Sequence, residues 1–227
     1  MVLEQVAFDI ETTGFSVDDE VTTVGFALPL GVRVFVQSGG RSVSDVASTV
    51  QDAVATGTLV NVSMHTSEQG LLAAVSGFVE ERLCGADVLL VAYNGERWKG
   101  GFDLPFLRTR YACLGMAWPF VDVPFADVMP VVTDRFNTTV TDGASGTAER
   151  GDLAGVYAVL VGGEHGAVDP FGESKDAVAA FRDGRFAELA LHNVADVLRT
   201  RALGRLAERY CGKSEFRVKS LTPTREV

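Results

Sequence analysis

Three short segments of this 227-residue chain carry side chains whose types and spacing suit catalysis. In the first, Asp9-Ile10-Glu11 runs into Thr12-Thr13-Gly14. Residues two apart on a strand face the same side, so Asp9 and Glu11 project together where a glycine-containing turn leaves room for a ligand. Two carboxylates that close repel unless a cation lies between them, and hard oxygen donors suit Mg²⁺ or Mn²⁺. In the second, Asn94 follows an apolar run, and Phe102-Asp103-Leu104-Pro105-Phe106-Leu107 sets another carboxylate directly before a helix start. In the third, His192 and Asp196 stand four apart, which on a helix puts both on one face, about 6 Å apart along the axis. Each segment taken alone has a plainer reading: a solvated strand end, an aspartate N-cap for the helix after Phe102, and a surface His–Asp pair.

The elements that would position these residues follow from apolar periodicity. Val6, Phe8 and Ile10 alternate with polar or small neighbours, the pattern of a half-buried strand that stops at Thr12-Thr13-Gly14. Runs 21–28 and 31–37 form an antiparallel hairpin through Pro29-Leu30-Gly31. A helical period in Val43, Val46, Ala47, Val50 and Val54 precedes a short strand over 59–64, and Thr66-Ser67-Glu68-Gln69 resembles a capping box opening a helix. Residues 88–93 read as a strand buried on both faces. The polar stretch at about 134–151 reads as an exposed loop. Asp152 caps a helix over 153–160 that Gly162-Gly163 ends; Ser174 or Lys175 opens another through Phe181, and 186–209 has the length and spacing of a long helix. Early strands, then alternating helices and strands, then helices, predict an α/β layered domain with a mixed central sheet.

Composition bounds the class. With 47% hydrophobic and 22% charged residues the chain can bury a large core, and its length suits one domain. It shows no apolar run long enough to span a membrane and no signal-peptide pattern at its start, so a cytoplasmic location without membrane contact is expected. Cys84, Cys113 and Cys211 are widely spaced and read as packing residues. The net charge of −10 repels nucleic acid at long range unless salt or metal screens it. From Val197 onward, however, eight basic residues face three acidic ones, and the basic tail at about 211–227 is either a binding face or a solvated surface. His65 and His165 lack partners at metal-ligand spacing. Gly39-Gly40 and Gly162-Gly163 lack the context of a nucleotide-binding loop.

Together, Asp9-Ile10-Glu11-Thr12-Thr13-Gly14, Asn94 with Phe102-Asp103-Leu104-Pro105-Phe106, and His192 with Asp196 resemble, in order and across nearly the whole chain, the motifs of the DEDD superfamily of 3′→5′ exonucleases. The likeness is greatest to the exonuclease-like domains associated with family B DNA polymerases. The resemblance implies a ribonuclease-H-like three-layer domain over 1–227 and hydrolysis of DNA or RNA from the 3′ end to nucleoside 5′-monophosphates. It implies two divalent cations, Mg²⁺ or Mn²⁺, on Asp9, Glu11, Asp103 and Asp196, with His192 as general base. It also assigns Thr12, Asn94 and Phe102 to substrate binding, and single-stranded or 3′-ended nucleic acid, with a replication or repair partner, as what the chain meets. Trp98, Phe102 and Phe106 would then stack on bases or else belong to the core. Two departures from the family pattern stand out. Residues 95–101 resemble an insertion that alters substrate access, and the four-residue step from His192 to Asp196 is that of the branch carrying tyrosine as its base. A catalytically silent module that binds nucleic acid or a polymerase, and a structure-selective endonuclease on the same fold, are the alternatives.

Overall fold

The structure, a computed structural model, describes residues 3–54, 57–97, 102–142, 146–163, 165, 167–172 and 175–225. Trp98 and Ser174 lie outside them, as does the 98–101 part of the segment that resembles an insertion. A seven-stranded mixed sheet forms the centre. β1 (Glu4–Thr12), β2 (Val21–Leu28) and β3 (Gly31–Gln37) are antiparallel neighbours, and β4 (Leu59–His65) adds to β3 in parallel. On the other side of β1, β5 (Val88–Ala92) and β6 (Pro124–Asp127) continue in parallel, and β9 (Lys219–Ser220) closes the edge antiparallel to β6.

Strand parity sorts the side chains. Val6, Phe8 and Ile10 of β1 join a core with residues of α2 (Glu68–Arg82) and α3 (Asp103–Cys113) on one face. Ala7 falls on the opposite face with residues of α1 (Val46–Ala53), α5 (Leu153–Leu160), α6 (Lys175–Asp183) and α7 (Phe186–Tyr210). The chain is therefore α/β, with helices covering both faces of a mixed sheet. The alternation in β1 marks two covered faces rather than one wet and one dry, because β1 is the middle strand. By the same parity Asp9 and Glu11 share the face of Ala7, the side on which α7 lies.

α7 reaches the sheet closely because two glycines leave room. A Cβ on Gly25 would run into Asn193 Oδ1, and one on Gly204 into Gln5 Oε1. In these gaps Asn193 Nδ2 donates to the Asp9 carbonyl at 3.2 Å, and Gln5 Nε2 donates to the Gly204 carbonyl at 3.2 Å.

Local details refine the sequence reading. α1 begins at Val46, past Val43, after Asp45 in a left-handed turn with φ 58°. The cap of α2 is Ser67 rather than Thr66: Ser67 accepts from Gly70 N at 3.2 Å, and because glycine stands three residues after the cap no reciprocal side chain completes the expected box with Gln69, while Glu68 has another task. Its buried carboxylate instead accepts from Val21 N and both prongs of Arg110, tying α2, α3 and β2 together. α4 (Val128–Arg135) runs on from β6 and ends where the segment read as a loop begins; inside that segment β7 (Thr139–Asp142) pairs with β8 (Gly146–Glu149) as a hairpin. Residues 211–225 hold a short 3₁₀ helix (Lys213–Phe216), the edge strand β9 and buried Leu221, whose carbonyl accepts from Trp118 Nε1 at 3.1 Å. The segment read as a basic tail is thus anchored at Phe216, β9 and Leu221, while most of its side chains stay exposed. Among the late basic residues, Arg199, Arg201, Arg205 and Lys219 are spent on ion pairs within the chain. No helix among the described residues is long and apolar enough to cross a membrane.

Candidate active site

Asp9 and Glu11 sit at the end of β1, opposite Gly25 and Thr23 of β2. The turn beyond is stitched by Thr12 Oγ1 donating to the Gly14 carbonyl at 2.7 Å and Thr13 Oγ1 donating to Asp19 at 2.8 Å. Thr12 is buried, and its hydroxyl is committed to shaping this turn. Asp9 is oriented by Asn193 Nδ2, which donates to its Oδ2 at 2.9 Å.

Asp103 is the first residue of α3 and makes no capping bond; the cap position belongs to Phe102. The sequence's plainer reading of Asp103 as an N-cap is therefore corrected: the backbone of the preceding loop does the tying. Phe102 N donates to the Asn94 carbonyl and Leu104 N to the Gly95 carbonyl, each at 3.0 Å. A Cβ on Gly95 would fall 2.6 Å from Ala92 Cβ and 2.8 Å from Asp103 Oδ2, so the close approach of this residue to β5 and to that carboxyl requires glycine. Asn94 holds a left-handed φ of 60°, stabilised by its N–H donating to Asp127 Oδ1 at 2.9 Å, while Glu96 N donates to Asp127 Oδ2 at 3.1 Å. Phe102 packs between Phe106, a core residue, and Phe15, which is 73% exposed and 5.1 Å away in an edge-on contact.

His192, Asp196 and Arg199 lie at i, i+4 and i+7 on one face of α7. His192 Nε2 stands 3.5 Å from Glu11 Oε1 and 3.7 Å from Asp196 Oδ2, joining the end of β1 to α7. Behind the ring, His192 Nδ1 lies 2.7 Å from Asp169 Oδ1, and Arg199 Nη1 donates to Asp169 Oδ2 at 2.7 Å and to Asp196 Oδ1 at 2.6 Å.

The electrostatics show how tightly the groups converge. Burial pushes the Asp9 carboxyl well above the usual carboxylate range, and the charges of Asp103, Glu11 and Asp196 push it further. Asp103 is raised likewise, by burial first and then by Asp127, Glu11 and Asp196. Burial also lifts Asp196, against the lowering influence of His192 and Arg199, and takes Glu11 from 4.5 to about 8. His192, which burial alone would depress, is raised to about 9 by its bond to Asp169 and the charges of Glu11, Asp196 and Asp169. The structure therefore gathers Asp9, Glu11, Asp103, His192 and Asp196 into one charge-strained cluster. Asn94 and Phe102 flank it through the loop before α3.

Among the described residues, one donor atom each from Glu11, His192 and Asp196 lies within 4.8 Å of the others, a set able to hold a metal ion. Asp9 and Asp103, expected as ligands, stand outside this set and meet it through their charges. Carboxylates crowded in each other's field fit a divalent cation, which would relieve their mutual repulsion. No protein-family model and no curated protein matches the chain.

Asp169, Arg199, Asn193 and Asp127 are absent from the sequence motifs yet hold the motif residues in place. Arg199 was findable from helical spacing. Asp169 lies in an irregular loop with no periodicity to mark it.

Proposed function

We propose that the chain is a metal-dependent phosphodiester hydrolase on a ribonuclease-H-like fold, acting as a 3′→5′ exonuclease on DNA or RNA and releasing nucleoside 5′-monophosphates. The convergence of Asp9, Glu11, Asp103 and Asp196 with His192 at one end of the sheet carries the reading, since strand parity and helix spacing bring together groups nearly the whole chain apart. The mixed sheet with helices on both faces is compatible with that fold.

Divalent ions on Asp9, Glu11, Asp103 and Asp196 would offset charge on the scissile phosphate and favour in-line displacement. The chain's own side chains supply the rest. Asn193 holds the Asp9 carboxylate in one orientation, and the Gly95 loop excludes water from one side of Asp103. His192 Nε2 faces the cluster and accepts the proton of the attacking water, for which the ring must be neutral. Glu11 and Asp196, two of the groups that favour its protonated form, are those committed to cations in the loaded site. The exposed Phe15 ring against Phe102 offers a face for a terminal base, a contact worth about 1–3 kcal/mol where it forms.

One observation favours the silent-module alternative. Arg199 on Asp196 and the raised His192 supply positive charge beside the carboxylates without any metal. Digestion of 3′- and 5′-labelled single-stranded DNA and RNA with Mn²⁺ or Mg²⁺ separates the two. Mononucleotides released from the 3′ end support the exonuclease. Nucleic-acid binding without divalent-dependent cleavage supports the module, and cutting of circular single strands supports an endonuclease.

A further inference from the structure

We infer that Asp169 is a positioning residue for His192, fixing the ring so that Nδ1 carries a proton and Nε2 is aimed at Glu11 and Asp196. The inference rests on the exonuclease reading for what Nε2 does, but not for how the ring is held. Asp169 contributes a carboxylate whose two oxygens are divided between partners: Oδ1 lies 2.7 Å from His192 Nδ1, and Oδ2 accepts from Arg199 Nη1 at 2.7 Å. Both ends of each contact are nearly closed to solvent, with side chains no more than 8% exposed. A carboxylate that accepts from Arg199 and from the backbone N–H of Phe171 is ionised, and an ionised carboxylate only accepts, so Nδ1 must donate.

The same loop grips the ring from a second direction. Phe171, two residues on, packs against the imidazole with centroids 5.2 Å apart. Arg199 then closes a ring of contacts, because the nitrogen that holds Asp169 also holds Asp196 Oδ1 at 2.6 Å and turns Oδ2 of Asp196 toward Nε2. His192, Asp169, Arg199 and Asp196 are thus mutually fixed. Neither χ angle of His192 can change without breaking a bond between groups nearly closed to solvent. A carboxylate behind a working imidazole sets which nitrogen is free, and exchanging it for the amide in the serine-hydrolase triad costs about 10⁴-fold because the wrong tautomer is held.

The test reads the ring directly. With only three histidines in the chain, ¹⁵N-labelled imidazole spectra of the full chain are assignable, His192→Gln identifying the resonance. The parent should show a downfield, slowly exchanging proton on Nδ1 of His192, with or without nuclease activity. Asp169→Asn, which keeps the shape, should shift or lose that resonance and lower kcat about 10²- to 10⁴-fold with KM little changed, and Asp169→Glu should recover part of both. A parent spectrum in which Nδ1 carries no proton overturns the inference, even if Asp169→Asn fails to fold. So does an Asp169→Asn spectrum and kcat equal to the parent's. A parent without nuclease activity but with the Nδ1 proton in place overturns the exonuclease reading and leaves the positioning intact.

Discussion

Each acidic residue of the cluster stands in a field that disfavours its charge. Burial and the charges of Asp127, Glu11 and Asp196 raise Asp103, and burial with Asp103, Glu11 and Asp196 raises Asp9. Replacing such a group by its neutral isostere removes repulsion from the metal-free protein while taking a ligand from the loaded one. Asp9→Asn and Asp103→Asn should therefore abolish divalent-dependent cleavage, yet melt no lower than the parent in EDTA. Full nuclease activity in either variant would sink the metal-site reading; calorimetry beside a cleavage assay decides it. At His192, the alanine variant should lose about 10²–10⁴-fold in rate, the range of positioned proton transfer. His192→Tyr should retain more activity than His192→Ala, because the four-residue step to Asp196 is that of the tyrosine branch. Alanine cleaving at the parental rate would leave His192 as a packing partner of Asp169.

The approach of α7 to β1 and β2 decides whether the residues can meet at all. Gly25 is where that approach is closest, since any Cβ there overlaps Asn193. Gly25→Ala should push Asn193 aside, cost about 1–3 kcal/mol of stability as overpacking does, and break the two hydrogen bonds that Asn193 donates to Asp9. Activity should fall with it, although residue 25 touches no substrate. Urea denaturation and kcat measured side by side check this, and an alanine variant of parental stability would mean that the helix is not tightly seated there. On the opposite face, the buried Glu68–Arg110 pair, which also holds the Val17 carbonyl and Val21 N, anchors the turn following β1 from beneath.

For the whole molecule, the cluster couples stability to pH and to divalent ions. Glu11 rises from 4.5 to about 8 and His192 from 6.5 to about 9 on folding, so the folded chain binds more protons than the unfolded one between these values. Stability falls with rising pH wherever the native state binds more protons, and the favourable balance present at low pH is lost as pH passes through about 8 to 9. Asp169, whose carboxyl is held below the usual range by His192, Phe171 N–H and Arg199 in spite of burial, has the opposite sign but acts only at acid pH. The metal-free protein should thus lose stability as pH rises from about 4.5 to about 9. Saturating Mn²⁺ should restore it, by about 2.7 kcal/mol at a hundredfold excess over Kd, and more strongly at the upper end of the range, where fewer protons compete. Denaturation midpoints at three pH values with and without Mn²⁺ measure this; a midpoint that rises with pH in EDTA would refute it.

The sequence by itself determined the carboxylates, the strand that pairs Asp9 with Glu11 and the helix that pairs His192 with Asp196, because a period of two or of 3.6 residues is a local property of the backbone. It also marked the middle strands and the long helix by their apolar runs. It did not decide the placement of Asp103, since an aspartate that caps a helix and one that faces other carboxylates occupy the same local pattern; the packing of α3 against the end of β1 puts it in the field of Glu11 and Asp196. Asp169 lies 23 residues from His192 in a loop without periodicity, and Gly25 works only through the helix laid across it. The pairing of Lys219 and Ser220 as an edge strand beside β6 was likewise hidden behind the charge of their segment. Polar partners of this kind depend on which segments packing brings together, and only the tertiary structure supplies that information.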